Sequence, residues 1–107
     1  MAIALVIEFP GVRREQYDNV MKELRLDEGG TERPTGMILH LAGPYESGWQ
    51  VVDVWETRAD FDRFLDRDLG RALKNASIGT PRVREFSVYK ALGLPKTVAA
   101  GAGGMRS

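Results

Sequence analysis

Between Trp49 and Phe64 the chain reads WQVVDVWETRADFDRF, and this stretch limits the possible folds more than any other. Its first eight residues alternate as a strand does, placing Trp49, Val51, Asp53 and Trp55 on one face and Gln50, Val52, Val54 and Glu56 on the other. Two large aromatic rings thus share a face with one carboxylate. Thr57 then caps a helix whose third position is Asp60, and Phe61, Phe64 and Leu65 follow at helical spacing. A strand that runs straight into an amphipathic helix needs partners for both, and the flanking sequence supplies them.

Residues 2–9, AIALVIEF, are rich in strand formers and stop at Pro10-Gly11. Ile3, Leu5, Ile7 and Phe9 fall on one face, Ala2, Ala4, Val6 and Glu8 on the other, so a central strand with Glu8 near its rim is expected. Tyr17, Val20, Met21 and Leu24 recur at helical spacing opposite a charged side, which predicts a helix starting between Val12 and Glu15. Asp27 to Gly36 has the composition of a connecting loop. Met37 to Ala42 reads as a second strand, joined through GPYESG to the strand at Trp49 as a hairpin. A symmetric loop sets Ala42 opposite Trp49, His40 opposite Val51 and Ile38 opposite Asp53, which puts His40 on the face of the two Trp and the Asp. The second helix is expected from about Arg58 to Asn75, kinked or divided at Gly70, and Arg82 to Lys90 as a fourth strand.

The order βαββαβ predicts an α+β, ferredoxin-like sandwich: one antiparallel four-stranded sheet with two helices on one face. A single domain covers residues 1–92, and the small residues that dominate 93–107 read as a flexible C-terminal tail. The other sheet face carries Val52 and Val54 and needs cover, for which a second copy of the chain is the simplest source.

Fifteen basic and fifteen acidic residues among 107 give no net charge, which argues against nucleic acid and anionic lipid as partners. The apolar start contains Glu8 and Pro10 and no basic leader, so neither signal nor membrane anchor is expected. The chain has no Cys, in keeping with a reducing cytoplasm, and a single His. A metal centre would need His40 with carboxylates such as Glu8 and Asp53, a poor donor set, and no metal is expected. Sequence patterns for nucleotide cofactors and serine hydrolysis are missing.

With these elements in place the chain resembles the dimeric α+β barrel superfamily, nearest the antibiotic-biosynthesis-monooxygenase-like group, over about residues 2–92. The resemblance rests on the order of elements and on VVDVWETRADFDRF, similar to the W-E-[ST]-x-x-x-F pattern of that group. It implies that two sheets pair into a barrel between subunits and that each subunit keeps a small-molecule cavity between sheet and helices, faced by Trp55. Cofactor-free oxygenases of the group bind polyphenolic substrates through an Asn, a Trp and sometimes an Arg; heme-degrading relatives use an Asn, a Trp and a helix His. Trp55 stands at the Trp position, but strand one has no Asn and helix two no His. Heme degradation is therefore not expected, and no cofactor is implied.

His40 and Asp53 are the candidate catalytic pair, the carboxylate fixing the tautomer of the imidazole that removes a phenolic proton. Trp49, Trp55, Phe61, Phe64 and Tyr89 are the candidate substrate-binding residues. These point to a homodimer that binds a hydrophobic, aromatic or polyketide-like molecule and acts as a cofactor-independent monooxygenase, or by proton transfer alone as an isomerase or cyclase. The alternative is a non-catalytic dimer whose interior is filled by its own side chains, and a cavity under about 100 Å³ would favour it.

Overall fold

The computed structural model describes residues 2–27 and 33–93. Most of the expected tail, and the middle of the loop from Asp27 to Gly36, lie outside the described residues. Four strands, β1 (Ile3–Pro10), β2 (Met37–Tyr45), β3 (Gly48–Trp55) and β4 (Arg82–Ser87), form one antiparallel sheet in the order β2-β3-β1-β4. Helix α1 (Arg14–Leu24) joins β1 to β2. Between β3 and β4 runs α2 (Arg58–Phe64), then a π-helical turn over Leu65–Leu69, then α3 (Gly70–Asn75). This is the expected ferredoxin-like fold, with β1 and β3 central.

One sheet face carries the core. Ile3, Leu5, Ile7 and Phe9 of β1 and Val51, Asp53 and Trp55 of β3 are all buried there, beneath Val20, Phe61, Ala72 and Leu73 from the helices. Tyr17, Met21 and Leu24 add the rest of the α1 stripe. Among the described residues the opposite face has no helical layer. Across it run two apolar rows, Leu39–Val54–Ala4–Phe86 and Leu41–Val52–Val6, with Leu41 and Phe86 exposed. Glu8 also lies on this face, 3.9 Å from both Arg82 and Arg84, and so belongs to no site shared with Asp53.

The hairpin differs from the expected one. β2 does not stop at Ala42 but continues through Gly43, Pro44 and Tyr45 to a two-residue turn at Glu46-Ser47. Pro44 is tolerated because β2 is an edge strand. The register moves by two residues, so His40 pairs with Asp53, Ala42 with Val51 and Pro44 with Trp49; a bulge at Ile38 then lets Met37 pair with Trp55. An even shift preserves the face, and His40 stays on the side of Asp53.

The expected second helix is continuous in path but changes its winding ahead of Gly70, whose N–H bonds the carbonyl of Leu65. A Cβ on Gly70 would sit 3.1 Å from that same oxygen, so the wide turn is closed at a residue without a side chain. Thr57 caps α2, its Oγ1 accepting from the N–H of Asp60 at 3.0 Å. β4 ends at Ser87, three residues earlier than expected.

Candidate functional site

Alternation on β3 puts Trp49, Val51, Asp53 and Trp55 under the helices, and the hairpin register sets His40 directly across from Asp53. The carboxylate is buried and both its oxygens are engaged: Oδ1 lies 2.7 Å from His40 Nδ1, and Oδ2 accepts from Trp55 Nε1 at 3.1 Å. With Asp53 as acceptor, Nδ1 of His40 carries the proton, and the neutral ring presents Nε2 as an acceptor. Tyr17 of α1 fills that place, its hydroxyl 2.6 Å from Nε2. The two ring planes are parallel to within 4° and their centroids are 6.0 Å apart, too far for close face-to-face stacking, so the hydroxyl–nitrogen contact is what joins them. The result is one chain of hydrogen bonds, Tyr17 to His40 to Asp53, with Trp55 holding the far carboxylate oxygen.

Tyr17 keeps its proton tightly. Burial first, then the charges of Asp53 and Asp18, push its phenol from the ordinary 10.0 up to about 12. At neutral pH Tyr17 is therefore a donor to His40, and its oxygen lone pairs are left to accept from a neighbour.

The relay opens on a cavity of about 40 Å³ between sheet and helices, lined by Tyr17, His40, Asp53, Trp49 and Phe64 among apolar neighbours. On the criterion above, a space this small favours a filled interior. It admits a few water-sized groups, or one end of a larger molecule. A wider groove of about 460 Å³ adjoins it, open to solvent and lined by Arg58, Phe61, Leu65, Lys74, Pro81 and Val83 among others. Ile7, Phe9, Leu69, Leu73 and Ile78 line both spaces and form the wall between them. The π-helical turn thus ends in this wall, at Leu69.

The structure brings His40, Asp53, Trp49 and Phe64 to the cavity and Phe61 to the groove. Trp55 lines neither. It has no exposed surface and packs edge-on against Phe61, with ring centroids at 5.6 Å, and tilted against Phe64 at 5.4 Å. Its role here is to hold Asp53, and no molecule can stack on it in this conformation. Tyr89 lies beyond β4, 94% exposed and away from both spaces. Tyr17 is the residue that sequence reasoning missed: its place in the α1 stripe reads as core. The available signal was its hydroxyl, the only polar tip on that stripe, which needs a buried partner. Among the described residues no group of three or more His, Cys, Asp or Glu is placed to hold a metal, and no helix is long and apolar enough to cross a membrane.

No family model matches the sequence, and no curated protein does. Solved structures do match the fold. SnoaB, a cofactor-independent oxygenase from Streptomyces nogalater, is 14% identical with a TM-score of 0.63, over 85% of this chain and 96% of that one. A protein of unknown function from Nitrosomonas europaea is 20% identical with a TM-score of 0.65, over 88% and 94%. A dimeric ferredoxin-like protein of unknown function from Thermobifida fusca is 17% identical with a TM-score of 0.58, over 82% and 92%. The chain shares the ferredoxin-like fold of these structures, which antibiotic-biosynthesis-monooxygenase-like proteins also have.

Proposed function

We propose, taking this shared fold as the premise, that the chain binds a small apolar molecule with an ionisable oxygen between its sheet and helices and removes a proton from that oxygen. The unbroken chain Tyr17–His40–Asp53–Trp55 carries this reading. His40 Nε2 is covered by Tyr17, so a substrate proton reaches His40 only through the phenol. Tyr17 oxygen takes the proton of the substrate hydroxyl as its own proton passes to Nε2, and the imidazolium that forms rests against the Asp53 carboxylate. Tyr17 is neutral before and after, which suits a phenol held protonated. Removing the proton leaves an electron-rich anion that can react with dioxygen without a cofactor, and SnoaB, of the same fold, is a cofactor-independent oxygenase. The groove is of a size for the body of such a substrate, and the cavity for its reactive end. Reaching the relay requires the side chains of Leu69, Leu73 or Ile78 to turn aside.

The test is oxygen uptake with a panel of polyhydroxylated naphthalenes, alongside nitrogen-15 NMR of the single His. The expected outcome is uptake by the wild type, lowered about a hundredfold in Tyr17→Phe and Asp53→Asn, and a neutral His40 protonated on Nδ1. No uptake across the panel, or an unchanged rate in Tyr17→Phe, sinks the oxygenase reading. Product formed equally without oxygen assigns proton transfer alone, as in an isomerase or cyclase.

A second reading is favoured by the 40 Å³ cavity: a non-catalytic homodimer with a filled interior, in which the relay merely satisfies buried polar groups. Under it, Tyr17→Phe and Asp53→Asn change stability alone. Both readings take the open sheet face as the surface where two copies meet, supported by its two apolar rows and by the dimeric Thermobifida fusca protein of the same fold.

A further inference from the structure

Trp49 and Trp55 share the inward face of β3, yet their N–H groups fare differently. Trp55 donates to Asp53 Oδ2 at 3.1 Å. Trp49 Nε1 is buried and, among the described residues, is the one buried side-chain nitrogen or oxygen without a hydrogen-bond partner. An indole N–H can only donate, and nearly all buried donors in folded proteins are satisfied. The acceptor must therefore come from outside the chain's own described atoms. The Trp49 ring lies 5.3 Å from that of Tyr17, tilted by 34°, and both rings line the cavity together with His40. Phe9, Val12, Met21, Met37 and Leu69 make most of the remaining lining apolar.

A molecule that enters thus meets the ring of Trp49, whose N–H has no partner among the described residues, and that of Tyr17, whose oxygen can accept while its own proton is committed to His40. We propose that Trp49 is the specificity-determining anchor of this cavity, its N–H holding a carbonyl oxygen of an otherwise apolar aryl ketone or quinone whose neighbouring hydroxyl faces Tyr17. This rests on the reading that a small molecule enters the cavity, and it narrows the class. A plain hydrocarbon, or a group that can only donate, leaves the indole unpaired and binds more weakly. The cavity takes the oxygen-bearing end, where donor and acceptor act together.

Two probes isolate the bond: 1-tetralone, with one carbonyl, and tetralin, the same body without it. Proton–nitrogen spectra of the full-length chain contain two indole signals, assigned by loss of one in Trp49→Phe. In the wild type, 1-tetralone is expected to move the Trp49 indole proton downfield and leave that of Trp55 in place, while tetralin moves neither. 1-Tetralone should bind about tenfold more tightly than tetralin, as one net hydrogen bond allows, and that advantage should vanish in Trp49→Phe. Equal affinity for the two probes overturns the proposal, as does binding of neither. So does 1-tetralone bound with the Trp49 proton unmoved, which assigns the N–H to a resident water. If Trp49→Phe does not fold, the two wild-type arms decide. The relay reading is tested on His40 without these probes, so either can fail while the other stands.

Discussion

Tyr17 shows how a side chain on a core stripe acquires chemistry. Its ring packs against the buried core as any aromatic would, but the hydroxyl ends 2.6 Å from His40 Nε2, and its phenol is pushed up to about 12. The sign of the linked stability follows from that direction. Below pH 10 the phenol is protonated folded and unfolded, and stability is unaffected. As pH rises from 10 to 12 the unfolded chain loses this proton first, so the contribution of Tyr17 is lost across that window. Ultraviolet titration of phenolate absorbance should show a component with a midpoint near 12 that disappears in Tyr17→Phe. The same substitution should flatten the fall in urea midpoint between pH 10 and 12, and an unchanged fall would show that Tyr17 is not its source. At this scale His40 and Asp53 were legible, since parity alone placed them on one face. Tyr17 was not, because helical periodicity says which residues face inward and nothing about whose polar tip they meet.

Element geometry explains both what the sequence reveals about the hairpin and what it hides. Strand parity survives an error of two residues, so the shared face was readable while the partners were not. Gly43-Pro44 resembles a turn, but an edge strand accommodates it and the reversal falls at Glu46-Ser47. The π-helical turn was half legible: Gly70 marked the place, but a widened turn needs a specific close approach, here to the Leu65 carbonyl, that no periodicity encodes. A tighter approach fixes the other end of the hairpin. A Cβ on Gly48 would lie 2.3 Å from the Phe9 carbonyl oxygen and 2.7 Å from Gly11 nitrogen, both backbone atoms that cannot swing away. Gly11 N–H also bonds the Ser47 carbonyl at 2.7 Å, tying the end of β1 to the turn. Gly48→Ala should therefore cost about 2 kcal/mol and lower the melting temperature by roughly 8–16 °C. Gly43→Ala, with nothing within 4 Å of its Cβ, is the control and should stay within about 0.5 kcal/mol of wild type. Equal melting temperatures for the two variants would refute the steric argument.

For the whole molecule the decisive asymmetry lies between the two sheet faces. The helices cover one, while Leu39, Leu41, Val52, Val54, Val6 and Phe86 occupy the other with no layer above them among the described residues. An apolar strip running across a sheet, bordered by the Glu8–Arg82–Arg84 cluster, has the make-up of an interface core with a charged rim. A self-complementary pairing about a two-fold axis would bury both copies of the strip at once. Val52 is the place to test it, because it pairs with Val6 on one side and Leu41 on the other, in the middle of the strip and remote from the relay face. Sedimentation velocity should give the wild type twice the mass of an 11.9 kDa chain. Val52→Lys should give a monomer, since two buried ammonium groups facing each other across the axis cannot be paired. Its folding is checked by the Trp55 indole signal, which reports the opposite face. A wild type that sediments as a monomer at micromolar concentration would leave the strip exposed and remove the dimer from both functional readings. A Val52→Lys chain that stays dimeric would place the interface elsewhere.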